Sequence, residues 1–222
     1  MKNKIVLVVL LILPVTLYVY FSLAKHNSLF LPVLNKYVQE LPQGETLNKQ
    51  PVKLKGYITI LGFLGDSVEQ KKESVFNIDQ KIYQSYKEFN DFQVVMVLPK
   101  GNEQKVQKLI QDFSVTSNIS GWKFLFADKN DINSFYSSLK VKDPLSNAYG
   151  TTNVFIIDKD GNLRGRDGRN NNVKSDNYKD AYNSFSAAEL HNEMTDDLKI
   201  VLQEYRLALR KNDTLKGVKR EI

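Results

Sequence analysis

Two near-continuous apolar runs limit what this chain can fold into more than any other feature. They are Tyr57–Leu64 (YITILGFL) and Phe92–Leu98 (FQVVMVL), both rich in β-branched or aromatic residues. A strand with one wet face alternates polar and apolar positions. Strands apolar at nearly every position are covered on both faces, the situation of central strands in sheets flanked by helices. The segments that follow supply those helices. Val75, Ile78, Ile82, Tyr86 and Phe89 recur at helical spacing after the first run. Val106, Leu109, Ile110 and Phe113 do so over Glu103–Phe113 after the second.

The pattern continues along the chain. Trp122–Phe126 (WKFLF) reads as a third, short strand, and Asp128 or Asn130 as the cap of a helix through about Leu139. Asn153–Ile157 and Leu163–Arg166 read as a hairpin joined by the turn Asp158-Lys159-Asp160-Gly161. A polar stretch, Asp167–Ser184, follows; a loop of that length on a compact domain is functional or poorly ordered. Ser186 with Glu189 has capping-box spacing. Leu190, Met194, Leu198, Val201, Leu202, Tyr205 and Leu209 then form the apolar stripe of a closing helix. Before the first core strand, QPVKLKG reads as a short hairpin arm, and His26–Lys49 as a connector punctuated by Pro32, Pro42 and Gly44. Strand and helix alternate three times, then a hairpin and a last helix close the chain. The expected fold is α/β, a thioredoxin-like mixed β-sheet flanked by helices.

The N-terminus adds a membrane expectation. Lys2 and Lys4 precede an uncharged run from Ile5 to Ala24, about the length a bilayer-spanning helix needs. A cleavable signal peptide has a shorter apolar core, although Ser22-Leu23-Ala24 has the small-x-small form of a cleavage site. Tyr18, Tyr20 and Phe21 suit an interfacial belt, and the flanking charge favours the N-terminus inside. The expected organisation is a cytoplasmic N-terminus at residues 1–4 and an anchor (or signal peptide) at residues 5–24. A juxtamembrane connector covers residues 25–50. The extracytoplasmic, periplasmic domain spans residues 51–211, with a tail at residues 212–222.

Composition excludes several chemistries. The chain has no cysteine, so disulfides, iron–sulfur clusters, thiol redox chemistry and cysteine–zinc sites are ruled out. Lys+Arg number 31 against 25 Asp+Glu; without Lys2 and Lys4 the balance is 29 to 25, or +4, with mixed signs. No concentrated basic stripe marks a nucleic-acid surface. Gly-x-Gly-x-x-Gly, P-loop, nucleophile-elbow and His-Glu-x-x-His motifs are all missing. No catalytic residue, resident metal or cofactor is therefore expected. The DKDG of Asp158–Gly161 lacks the downstream glutamate of a calcium loop and reads as a β-turn. Asp66, Ser67 and Glu69 have the oxygen atoms a hard cation prefers, but helix capping accounts for the same residues.

Several segments resemble the Sco/SenC family, membrane-anchored thioredoxin-like proteins that deliver copper to cytochrome c oxidase. LKGYITILGFLGDSVEQ is similar to the family's apolar strand ending in a Gly-Phe turn, with Gly62 and Phe63 in the matching places. GWKFLF resembles a second family segment through Gly121, Trp122, Phe124 and Leu125, and NVFIIDKDGNLRGR resembles its hairpin. The resemblance spans roughly Val52–Arg169 and implies copper ligands at Asp66, Gln70 and the Tyr149-Gly150 position, with Thr151-Thr152 where thioredoxins carry a cis-proline. None of these residues is a soft ligand. Copper(I) takes thiolate, thioether or imidazole, and the chain offers only two histidines and three methionines. His26 lies beside the apolar run, Met1 is terminal, Met96 is inside a strand, and His191 with Met194 read as a surface histidine beside a core methionine.

The resulting expectation is a degenerate, non-redox member of such a group. It would be a pseudoenzyme with a binding, structural or assembly role, its partner a protein of a membrane complex, on the family analogy a respiratory one. The degenerate positions are Asp66, Gln70 and Gly150, and the expected partner surface comprises Gly65, Asp66, Ser67, Glu69, Gln70 and Tyr149. The competing class is a metal carrier or enzyme using non-thiol ligands at the Gly65–Gln70 turn.

Overall fold

The computed structural model describes residues 10–19, 30–114, 117–168 and 178–215, with side chains as far as residue 208. Its centre is an eight-stranded mixed sheet with the order β1-β7-β6-β3-β4-β5-β2, and β10 alongside β6. The strands are β1 (Val33–Asn35), β2 (Gly44–Thr46), β3 (Ile58–Leu64), β4 (Phe92–Pro99), β5 (Lys123–Ala127), β6 (Gly150–Ile157), β7 (Leu163–Arg164) and β10 (Tyr182–Asn183). A separate two-stranded ribbon pairs β8 (Arg166–Asp167) with β9 (Tyr178–Lys179). β3, β4 and β5 run parallel, and β6 returns antiparallel against β3. Every residue of β3 and β4 is buried, as their uniform apolarity requires.

The helices cover both faces. α1 runs from Lys72–Ile78 through a π-turn at Asp79–Tyr83 to Gln84–Tyr86; α2 is Glu103–Phe113 and α3 Lys129–Ser138. α4 comprises Ala187–Glu189, a π-turn at Leu190–Met194, and Thr195–Leu215. Alternation along the strands sorts the core into two layers. Ile58, Ile60, Val94, Met96 and Leu98 face α1, α2 and α4, through Val75, Ile78, Ile82, Val106, Leu109 and Leu198. Leu61, Phe63, Val95 and Val97 face α3, through Ile132, Phe135 and Tyr136. The Phe63 ring meets Tyr136 edge-on, with centroids 5.0 Å apart.

Several expectations are corrected. The segment read as a connector supplies strands at both margins of the sheet: β1 pairs with β7 and β2 with β5, and Leu31 is buried. Strands this short carry too few residues for periodicity to register. QPVKLKG forms no hairpin arm; Leu54 is anchored in the core instead. Phe89 lies past the end of α1 and is exposed. Of the polar stretch Asp167–Ser184, residues 169–177 lie outside the described residues, but β9 and β10 are regular and Tyr182 is fully buried. β10 takes the part of the β6 edge that β7 leaves open, at Asn153 and Val154.

Two buried arginines tie the hairpin to α4. Arg164 donates to Asp158, Glu204 and the Leu31 carbonyl. Arg166 donates to Asp197 at 2.8 and 3.2 Å, and the same carboxylate accepts from the Tyr182 hydroxyl at 2.6 Å. Burial pushes the Asp197 carboxyl up, against the pull of Arg166 and Tyr182. The Asp158 carboxylate also accepts from the Asp160 and Asn162 amides, closing the expected β-turn from within. Ser186 caps α4 through the Glu189 amide, while the Glu189 carboxylate turns to Lys179 and the Asn183 amide. Half of the capping box therefore forms.

Residues 10–19 are helical and exposed; the rest of the Ile5–Ala24 run lies outside the described residues. Among the described residues no helix is long and apolar enough to cross a membrane.

Candidate functional site

The turn after β3 sits against the segment that leads into β6, and glycines make that contact possible. Gly65 adopts φ +66°, and a Cβ there would lie 2.2 Å from the Ala148 carbonyl oxygen. The next amide, Asp66 N–H, donates to that same carbonyl at 2.8 Å. Tyr149 is itself left-handed, with φ 58°, and its ring lies under the Lys129 ammonium at 4.9 Å. Gly65, Asp66, Tyr149 and Gly150, distant in sequence, are thus brought together.

Asp66 does not cap a helix. The residues at the starts of the short 3₁₀ turn Glu69–Lys71 and of α1 make no side-chain cap bond. The Asp66 carboxylate instead accepts from Asn102 Nδ2 at 2.9 Å and Lys129 Nζ at 3.2 Å, while its backbone carbonyl accepts from Lys105 Nζ. The Asn102 bond, reinforced by the lysines, holds its pKa below the ordinary carboxylate range. One acid thereby links the loops after β3, β4 and β5. Asp128 stands at the N-cap of α3 as expected, but its carboxylate pairs with Lys100 instead of making a cap bond. Glu69 is exposed and reaches Lys108 on α2, so the two acids of the turn face different lysines rather than converging on one point. Gln70 is exposed and Ser67 half-buried.

The feature at the centre of the site is Lys71. Between Gly62↔Val154 and Leu64↔Gly150, a single β3 residue, Phe63, faces three of β6, residues 151–153. Such an irregularity disrupts the ladder locally, and buried carbonyls there need other donors. Lys71 Nζ bridges the gap, donating to Phe63 O at 2.9 Å and to Thr151 O at 2.7 Å. Ser184 serves the Thr152 carbonyl, and Ser146 N–H serves that of Gly150. A Cβ on residue 150 would lie 2.5 Å from Lys71 Nζ, so the glycine makes room for the ammonium. Burial lowers the Lys71 pKa to about 8, with no charged neighbour contributing. The sequence contains no sign of this role: a lysine in the first turn of an amphipathic helix looks like any solvated one.

The donor set does not fit copper(I). Asp66, Gln70 and Gly150 offer no soft atom, and the space beside Gly150 holds the cationic Lys71 side chain. His191 is exposed and Met194 wholly buried on α4, as expected of a surface histidine beside a core methionine. Met96 is in the core, where its sulfur lies 2.6 Å from a Cβ placed on Gly62. His26 and Met1 lie outside the described residues. Among the described residues no three His, Cys, Asp or Glu side chains cluster as metal ligands.

No protein-family model matches the chain, and no curated protein matches it. Solved structures do. BsSco, a member of the Sco family of cytochrome c oxidase assembly proteins, superposes with TM-score 0.54 at 13% identity, covering 78% of this chain and 98% of that one. A putative electron transport protein from Aquifex aeolicus VF5 gives TM-score 0.52 at 14% identity, over 76% and 98% of the two chains. A putative protein disulfide isomerase from Bacteroides thetaiotaomicron gives 0.51 at 14%, over 79% and 95%. At these identities the likeness establishes the fold, which is thioredoxin-like. The structural neighbours are Sco and thioredoxin-like oxidoreductase proteins, and this chain lacks every cysteine.

Proposed function

We propose that this thioredoxin-like chain is a non-redox, membrane-anchored binding module. It would serve as a subunit or assembly partner of a membrane complex, with Ile5–Ala24 as the anchor and the domain on the extracytoplasmic side. One observation carries the reading: in a chain without cysteine, the Lys71 ammonium occupies the space beside Gly150, next to the turn where the resemblance to Sco proteins would put a thiol pair at Asp66 and Gln70. A site rebuilt around a hydrogen-bonded lysine has lost thiol chemistry but keeps a defined surface, and scaffold and function are separable. The surface is formed by Gly65, Asp66, Ser67, Glu69, Gln70 and Tyr149. That the complex is a respiratory one follows by analogy with BsSco and its family of cytochrome c oxidase assembly proteins.

The test is purification of the full chain from membranes in mild detergent, with identification of co-purifying proteins and measurement of bound copper. A stoichiometric membrane-protein partner and no copper are expected. Tight, stoichiometric copper, or a chain recovered wholly from the soluble fraction without partners, would overturn the reading.

A further inference from the structure

Beside the Asp66 turn lies an open cleft of about 400 Å³. That is large enough for a small ligand or the end of a peptide. Among the described residues, Lys71 is the only charged one lining it. The hydroxyl residues Ser67, Ser146 and Thr152 form one part of the wall, and Leu64, Pro144 and Leu145 an apolar part.

Among the described residues the lysine has no counter-charge. Both its acceptors, Phe63 O and Thr151 O, are neutral carbonyls. The acids nearby are engaged elsewhere: Asp66 with Asn102 and Lys129, Glu69 with Lys108, Asp112 with Lys72, and Asp143 with Asn153. An ammonium has three N–H donors, and two are directed into the strands, leaving the third for the cleft. A desolvated cation without an anion is costly, and an incoming anion recovers that cost.

From the uncompensated ammonium, the hydroxyls around it and the adjoining apolar wall, we infer that this cleft binds a monocarboxylate with a small aliphatic group, either a free acid or the C-terminus of a polypeptide. This rests on reading the turn as a binding surface rather than a redox centre. The carboxylate accepts the third Lys71 proton and bonds from the hydroxyls, while its aliphatic part lies on Leu64 and Leu145. Binding requires the protonated amine, whose pKa of about 8 in the free protein makes affinity fall at alkaline pH. With no other charged group contributing at Lys71, the dependence follows that one titration.

The experiment is an NMR titration of the full chain in detergent, following Lys71 Cε/Hε. The probes are butyrate, N-acetyl-alanyl-leucine, and the amides of both. Saturable shifts are expected with the two acids and not with the amides. Affinity should weaken about tenfold from pH 7 to pH 9, as the protonated fraction falls by that factor. The better acid identifies the source, a free small acid if butyrate and a polypeptide end if the dipeptide. Lys71→Met should abolish binding while the remaining spectrum shows the fold intact. Equal binding of acids and amides, unchanged affinity at pH 9, retention in Lys71→Met, or no saturation by either acid would each overturn the inference. If Lys71→Met unfolds the chain, the amide and pH comparisons on the wild-type protein decide. A membrane partner that still co-purifies with Lys71→Met, alongside a failed titration, would sink the carboxylate assignment alone; stoichiometric copper would sink the reading beneath it.

Discussion

Replacing Leu198 by alanine tests whether α4 belongs to this domain's core or is a docking element for a partner. Leu198 is 0% exposed and shares a core layer with Ile78, Ile82, Leu190, Met194 and Val201. It lies where α4 packs beside α1 on one face of the sheet. Truncating a fully enclosed leucine removes its transfer free energy and leaves a cavity, at a cost of about 2–5 kcal/mol. Total stabilities are typically about 5–15 kcal/mol, so the loss is a large fraction. For a domain of this size each kcal/mol lowers Tm by about 2–4 °C, which places the expected fall near 7–14 °C for the middle of that range. The assay is thermal and urea unfolding of residues 25–222, a fragment that keeps every described strand. The control is truncation after Lys211: the helix continues to Leu215, but the residues removed lie at its far end, so Tm should stay within about 1 °C. Were Leu198→Ala to unfold like the wild type, the stripe would face something other than this core. The partner surface would then belong on α4 rather than at the Asp66 turn.

Three further outcomes are expected. Asp197→Asn removes the buried anion of Arg166 and leaves it only the half-exposed Glu193 carboxylate at 3.4 Å, so it should cost up to about 3–5 kcal/mol in urea unfolding; a loss under about 1 kcal/mol would show that the Arg166–Asp197 pair is not enclosed as described. Lys71 binds its proton less tightly folded than unfolded, so the unfolded chain holds more protons between about pH 8, its folded value, and the ordinary lysine range. Stability relative to Lys71→Met should therefore rise with pH across that window, and a flat difference would contradict the desolvated amine. Cysteines introduced together at Asp66 and Gln70 should form an intramolecular disulfide, because both residues lie on the turn beside Gly150; only intermolecular disulfides, seen on non-reducing gels, would mean that the turn is wrongly aligned.

Long, strongly patterned elements are legible in the sequence itself. β3 and β4 are uniformly apolar because both their faces are covered. α2 matches its predicted limits of Glu103 and Phe113. The stripe Leu190, Met194, Leu198 and Val201 is buried as its spacing requires. Absence of cysteine excluded thiol chemistry outright. Each of these follows from local periodicity or from composition, which need no knowledge of distant neighbours.

What only the tertiary structure decided depends on contacts between residues far apart in the chain. Residues 33–35 and 44–46 become strands because β7 and β5 offer them unpaired edges, and three residues are too few to show a period. Asp66 is at a helix start by sequence, yet its carboxylate is claimed by Asn102 and Lys129, 36 and 63 residues away. Arg166 and Asp197 are ordinary surface residue types until folding encloses them together. Lys71 is the clearest case. Its side chain lies in the site because β6 departs from β3 at Phe63 and leaves carbonyls for an amine to bridge, a demand that arises only when two strands far apart in the chain meet and bring Thr151 to Lys71, 80 residues away.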